Sequence, residues 1–383
     1  MDTKEPIAST TKAPTTRVGK TKSGASRAGR WNREMLNRLT VALKEDPEAD
    51  MITFLTPMYS KKLRSLKQAS SLPPDNHAAR PAPPNRDIRA RLHATDPSSV
   101  IFEPSAELKA LLHEDLSLSE SIVNLLADSE VLYAAVSIMV FKLNEALVVK
   151  ITGETSLTEH RSLTFLQENL PSFPAPRPHW LIRLGHFYLL FTTFIPGLDL
   201  EKVWPRLNRN QKQSVTGQLG VLFSQLRSLP HLASTPLGDV QGGNGCRDLR
   251  RFLRISTKPI TTDKEFQDFI FSGSRSASAS YINLLRGLMP ESAAKIVFTH
   301  GDVRPANIIV QEGEDEKWQV ASVIDWESSG FYPEYWECIK ATNNLSLRDN
   351  TDWYQYLPDA ISPGRYPTTW LVDRLWDRSI VNS

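Results

Sequence analysis

What this chain has little of narrows it first. Its 383 residues include only two cysteines, Cys246 and Cys338, and they form no CxxC pair. That leaves no disulfide framework and no zinc-type thiolate site, suits a reducing compartment, and means that any metal must be held by oxygen. An excess of one charge is also missing. With 45 basic and 43 acidic residues the formal net charge is +2, so no global field draws the protein onto nucleic acid or an anionic membrane. Long apolar runs are absent too. The longest, Val131 to Phe141, falls well short of the roughly 18 residues of a membrane span, and the N-terminus has no apolar signal core. The reading is a soluble, cytoplasmic protein with neither nucleic acid nor membrane as partner. Its oligomeric state is not legible. What remains is ordinary globular material, 40% hydrophobic and 23% charged, on a chain longer than one typical domain.

Large apolar residues are sparse in the first 30 positions, which are rich in Thr, Ser, Lys and Arg. Burial there cannot offset the entropy of ordering, so disorder is expected. Asp2 and Glu5, with no amphipathic stripe, argue against an organelle-targeting peptide. Leu36, Leu39 and Leu43 hint at one helix face, and the prolines of SSLPPDNHAARPAPPNRD then mark a linker. Residues 1–95 are therefore read as a disordered and linker extension containing a short helix. RVGKT carries the end of a phosphate-binding loop, but Pro14 stands where its opening glycine belongs and no strand precedes it, which excludes that motif.

Periodic sequence begins near residue 105. Ser105 is placed to cap a helix carrying Leu108, Leu111 and Leu112, and Ile122, Leu125 and Leu126 suggest a second. EVLYAAVSIMVFKL and ALVVKI, separated by Asn144 and Glu145, read as a hairpin with Lys150 near the end of its second strand. In SLTEHRSLTFLQENL, Ser156 and Glu159 have capping-box spacing, which by itself makes Glu159 a helix-start residue. Yet Glu159 also shares a stripe with Leu163, Leu166 and Leu170, which turns its carboxylate toward the packed side. A carboxylate facing a core needs a cation, and Lys150 is the nearest candidate. HWLIRL and FYLLFTTF form a second hairpin, and Pro196 and Gly197 stop that strand before a helix near Asp199. Residues 96–195 thus read as a small lobe built on an antiparallel sheet. Helical spacing dominates residues 196–383, with stripes at Val215, Leu219, Leu222, Leu226 and Leu229 and at Ile282, Leu285 and Leu288. The fold class is α+β with two lobes.

The chemistry gathers in VFTHGDVRPANIIVQEGEDEKWQVASVIDWESSGFYPEYWE. Short strands KIVFT, IIVQ and WQVASVI deliver Asp302, Asn307 and Asp325 into loops, where Gly301 and Pro305 help to fix their directions. Taken singly, Asp302 is also consistent with an Asx turn, Asn307 with a strand-end cap and Asp325 with a solvated acid. Jointly they resemble the kinase arrangement of an Asp, an Asn five residues on and a second Asp after a strand. That resemblance implies γ-phosphoryl transfer, with oxygens for Mg2+, a carboxylate for the attacking hydroxyl and, from Lys150, a cation for the phosphates.

FTHGDVRPANIIV, SVIDWESSGFYPEYWE, VVK with Glu159, and FIPGLDLEKVW together resemble the aminoglycoside phosphotransferase family, whose fold is protein-kinase-like, and especially its fungal branch. The resemblance spans roughly residues 105–345. It implies ATP and Mg2+ as cofactors and a small-molecule alcohol as acceptor. By position it implies Asp302 as catalytic base, with His300 bracing its loop and Arg304 on phosphate or on the loop's own carboxylates. It implies Asn307 and Asp325 on the metal, Lys150 paired with Glu159 on the α- and β-phosphates, and adenine against the backbone of Thr192, Thr193 and Phe194. One departure stands out. ADSEVLYAAVSIMVF, where the phosphate loop belongs, contains no glycine; Ser129 is the substitute hydroxyl donor, beside a repelling Glu130. A second reading follows from it, a pseudokinase that binds a ligand or partner without turnover. A protein kinase would need an activation segment and an APE-like stretch after Asp325, and neither is present. Glu327, Glu334, Glu337, Asp349, Asp352 and Asp359, interleaved with Trp326, Trp336 and Trp353, are read as contacts for a cationic amine or as solvated helix surface. GDVQGGNGCRD is either a loop at the substrate mouth or a surface connector.

Overall fold

The structure is a computed structural model that describes residues 27–48, 50, 59, 63 and 87–381, except 136, 155–156, 233–234, 243–244, 251–252, 275–276 and 315–316. The expected tail disorder, the proline-rich linker and Ser156 of the capping box lie outside the described residues. Two compact units divide between Pro84 and Asn85. In the first, helix α1 (Arg27–Glu45) buries Met35 and Ala42 while Leu36 is exposed.

The second unit begins with β1 (Ser98–Phe102), α2 (Ala106–Lys109) and α3 (Leu118–Ala127). Ser105 and Ser117 cap the two helices by accepting the N–H groups of Leu108 and Glu120. Then come β2 (Glu130–Ala134), β3 (Ile138–Lys142), β4 (Leu147–Thr152), α4 (Leu157–Asn169), β5 (Pro178–Leu184) and β6 (Phe187–Thr193). These strands make an antiparallel sheet in the order β1-β5-β6-β4-β3-β2. EVLYAAVSIMVFKL is not one strand: it folds on itself, Ala134 opposite Met139 and Glu130 opposite Lys142. Its length already exceeds that of a usual strand. The β3–β4 turn is held by Asn144, whose Oδ1 accepts the N–H groups of Ala146 and Leu147.

Strand alternation then sorts β4. Leu147, Val149 and Ile151 enter a core shared with Phe141, Trp180, Ile182, Leu189 and Phe191, which sends Lys150 to the opposite face. That core also takes in Ile88 and Leu92.

After the sheet the chain turns mainly helical: β7 (Leu198–Asp199), α5 (Leu200–Val203), α6 (Arg209–Ser228), β8 (Arg247–Asp248), β9 (Arg254–Ile255), α7 (Asp263–Phe271) and α8 (Ala279–Gly287). It ends with β10 (Ile296–Thr299), β11 (Ile308–Glu312), β12 (Trp318–Val323), β13 (Gly330–Pro333), α9 (Trp336–Ala341) and α10 (Pro367–Val381). The α6 stripe buries Val215, Leu219, Phe223 and Leu226, with Leu222 packed from the side. On α8 only Leu285 is buried, and Leu288 is 50% exposed. Small ladders β12-β11-β7 and β10-β13 flank the loops that carry Asp302 and Asp325. The two-lobed α+β architecture is the one expected from the sequence. No described helix is long and apolar enough to cross a membrane.

Both cysteines are buried, and burial pushes the Cys246 and Cys338 thiols up to about 12. Native protein at pH 8 is therefore expected to give no rapid reaction with Ellman's reagent, and denatured protein to give both thiols. Fast titration of either thiol in the native state would contradict this packing.

Candidate active site

Lys150 is the meeting point. From the face of β4 opposite the sheet core the ammonium donates to Glu159 Oε2 at 2.9 Å, Asp325 Oδ1 at 2.6 Å and Glu327 Oε2 at 2.9 Å. Glu159 reaches it because Glu159, Leu163 and Leu166 share the buried side of α4. Burial works against the Lys150 ammonium, but three carboxylates outweigh it and hold the pKa well above the usual lysine value. Burial pushes Glu159 up to about 6 against the pull of Lys150. At Asp325 burial also opposes ionisation, yet Lys150 keeps that carboxyl below its ordinary range. Glu159, Asp325 and Glu327 each place one oxygen within 4.8 Å of the others, a grouping able to hold a metal ion. Glu327, read from sequence among the substrate acids, sits on Lys150 instead.

Asp302 is linked to this group through Arg304. Pro305 opens a single 3-10 turn through Asn307. The Asn307 amide donates to the Asp302 carbonyl at 2.9 Å and to its Oδ2 at 2.8 Å. Its own Oδ1 accepts nothing among the described residues. His300 ties two loops: Nδ1 accepts from the Asp302 N–H at 3.1 Å, and Nε2 donates to the Ile324 carbonyl at 3.0 Å. Its ring lies edge-on to the fully buried Trp326, centroids 4.5 Å apart. Arg304 turns to the loop's carboxylates, with Nε 3.3 Å from Asp302 Oδ2 and Nη2 3.9 Å from Asp325 Oδ2.

Two backbone positions take left-handed conformations, one of them strained. Asp325, at φ 69, is the one non-glycine residue with positive φ among the described residues, and such strain persists only where the surroundings enforce it. Here the Ile324 N–H donates to the Asn307 carbonyl at 2.9 Å, and the Trp326 indole donates to Val323 at 2.8 Å. Gly301 has φ +80, and a Cβ there would overlap the Ser328 carbonyl. Gly301→Ala is expected to cost about 1–3 kcal/mol for the backbone conformation alone and to lower turnover by displacing Asp302. Calorimetric melting with a rate assay checks this, and wild-type values for both would contradict it.

Sequence reasoning missed the anchor of this loop. Glu337 on α9, 2% exposed, accepts the His300 N–H on Oε2 at 2.6 Å and the Gly301 N–H on Oε1 at 2.9 Å. Burial raises its pKa, partly offset by His300 and those two N–H groups. A single apolar-flanked glutamate in YPEYWE carried no local signal of this, because its partners lie 36 and 37 residues away.

The remaining candidates are dispersed. Ser129 precedes β2, at the end away from the β2–β3 turn, and its hydroxyl donates to the Leu126 carbonyl at 2.6 Å; the structure does not bring it to the cluster. Thr192 and Thr193 lie in β6 opposite Val148 and Leu147 of β4. The Thr193 N–H donates to Arg177 and the Phe194 N–H to Ala146, so both donors are used in the sheet. Phe194 carries the Lys142 ammonium over its ring at 4.5 Å. Among the other acids, Glu334 accepts from the Tyr366 hydroxyl, Asp349 from the Ser346 N–H, and Asp352 from Lys212 and Trp204. Trp326, Trp336 and Trp353 are buried. Gly238 of the glycine-rich loop bridges to Phe331 through paired backbone hydrogen bonds of 2.9 and 2.8 Å, which fixes that loop beside β13.

A model of the phosphotransferase enzyme family (APH) matches residues 140–371, more than half of the chain. No curated protein matches. Among solved structures, an aminoglycoside phosphotransferase APH(4)-Ia with AMP-PNP and hygromycin B is 15% identical. It covers 67% of this chain and 82% of its own, at a TM-score of 0.40. The APH(2")-IIa complex with streptomycin and ATP is 12% identical, covering 72% of this chain and 92% of its own at a TM-score of 0.42.

Proposed function

The chain belongs to the phosphotransferase enzyme family, and on that premise we propose that it transfers the γ-phosphoryl group of ATP to a hydroxyl of a small molecule, with Asp302 as base. The observation that carries this reading is the Lys150–Asp325 contact of 2.6 Å, which joins the sheet lobe to the loop lobe beside the Asp302–Asn307 pair.

Each residue then has a task. The free Oδ1 of Asp302 orients the acceptor O–H and receives its proton as that oxygen attacks the γ-phosphorus, while the bond to the β–γ bridging oxygen breaks and ADP leaves. Asn307 holds Asp302 in one direction through Oδ2. Lys150 exchanges Glu327, 41% exposed, for phosphate oxygens and keeps Glu159 and Asp325. Arg304 stands where charge develops on the transferred group. The donor set of Asp325, the unpaired Asn307 Oδ1 and Glu327 is all oxygen, which fits Mg2+. Held by Asp325, Asn307 and Glu327, Mg2+ would neutralise the phosphates and stabilise charge on the leaving group. Adenine is assigned to the strand end after Thr193, near Phe194. The lobes so used are residues 96–195 and 196–383.

The test is ADP formation from ATP, with and without Mg2+, across hydroxylated small molecules. Acceptor-dependent ADP release that requires Mg2+ is expected; none with any acceptor, alongside firm nucleotide binding, would favour the non-catalytic binding module. That second reading draws on the glycine-free β2–β3 turn at residues 135–137.

A further inference from the structure

We propose, on the phosphotransferase reading above, that the acceptor alcohol carries an acidic group, a carboxylate or a phosphate, and that Lys340 receives it beside Asp302. Lys340 lies on α9 one turn after Glu337, and residues three apart share a helix face. It therefore sits on the side of α9 that holds the Asp302 loop. Only 9% of Lys340 is exposed, and among the described residues its ammonium makes no hydrogen bond or ion pair.

The charged groups that bear on it are Asp248, Asp302, Arg250 and Glu337. None of these carboxylates forms a hydrogen bond or ion pair with Lys340 among the described residues. Asp248 takes a two-pronged contact from Arg250, at 2.9 and 3.0 Å. Both Glu337 oxygens hold the loop's backbone. Asp302 Oδ2 is shared by Asn307 and Arg304. Burial favours loss of the Lys340 proton and outweighs the pull of Asp248, Asp302 and Glu337.

A second observation points the same way. Arg247 on β8 donates through Nη1 to the Glu327 carbonyl at 3.4 Å, while its Nε is buried with no partner. Two cations with unmet donors thus come from the two elements that contact the Asp302 and Asp325 loops. A buried ammonium left unpaired is costly, and a ligand oxygen anion resolves that cost. Glu327, Glu334 and Asp352, by contrast, already have partners.

Thermal shift of the full chain against glycerate, glycerol 3-phosphate, glycerol and ethanolamine, with and without Mg2+ and β,γ-imido-ATP, tests the claim on one small scaffold. The two acids are expected to raise Tm, the neutral and cationic members not, and Lys340→Met is expected to abolish the shift. The preferred acid of the pair separates carboxylate from phosphate. With no acceptor present, Lys340→Met is expected to melt above the wild type, because an apolar side chain replaces an unpaired buried charge. For an acidic acceptor that is turned over, Lys340→Met should raise its KM by about 30-fold or more, with partial recovery in Lys340→Arg. Equal shifts from acidic and neutral members, or a Lys340→Met protein that melts below the wild type, would overturn the proposal. A nucleotide-bound protein indifferent to acids removes only the anion subsite. Failure to bind the nucleotide removes the phosphotransferase reading, with the acid-dependent shift of the free protein still deciding this one.

Discussion

Asp302→Asn is expected to melt with the wild type and to lose about 10²- to 10⁴-fold in turnover. The side chain is 32% exposed, and an asparagine oxygen still accepts the Asn307 amide, so little stability is at stake. What disappears is the carboxylate's capacity to take a proton. ADP release and phosphorylated product, followed together, separate transfer from hydrolysis. Wild-type turnover in this variant would remove Asp302 from the reaction and with it the role assigned to its loop.

Glu337→Ala is expected to act on stability and rate together. It strands the His300 and Gly301 N–H groups in a site where Glu337 is 2% exposed. Each buried unsatisfied donor costs about 1–3 kcal/mol, so the pair amounts to about 2–6 kcal/mol. That is enough to lower Tm by several degrees, and the freed loop should carry Asp302 away from Asn307 and reduce kcat. Glu337→Gln keeps one acceptor oxygen and should fall between the two proteins. Wild-type melting in Glu337→Ala would mean that the loop is anchored elsewhere, for instance through His300 and Ile324.

Why these two residues differed in legibility is instructive. Asp302, Asn307 and Asp325 sit in one stretch whose strands and turn residues declare themselves through short-range pattern. Lys150 and Glu159 are also local: two-residue alternation places one and helical spacing the other, nine residues apart. Glu337 and Glu327 were visible as acids but not as partners. Glu327 meets Lys150 across 177 positions, and only folding sets that distance. The same limit explains the N-terminal sheet. EVLYAAVSIMVFKL reads as one apolar strand because both arms of the β2–β3 hairpin are apolar and its turn, with Ala135 and Ser137, has neither Gly nor Asn to mark it. Ser129, named for its hydroxyl, lies just before β2, where that hydroxyl donates to the Leu126 carbonyl. The left-handed backbone at Asp325 had no sequence signal, since nothing at that position asks for it and Ile324 and Trp326 impose it.

The central claim is that Lys150, Asn307 and Asp325 converge on a divalent ion and the terminal phosphates of a nucleotide between the lobes. A crystal structure with Mn2+ and β,γ-imido-ATP tests it most directly, the metal being located by its anomalous signal. The account predicts one ion bound by Asn307 Oδ1 and Asp325, with the Lys150 ammonium moved from Glu327 onto a phosphate oxygen. A nucleotide bound outside this cleft, or an ion that leaves Asn307 and Asp325 untouched, would contradict it.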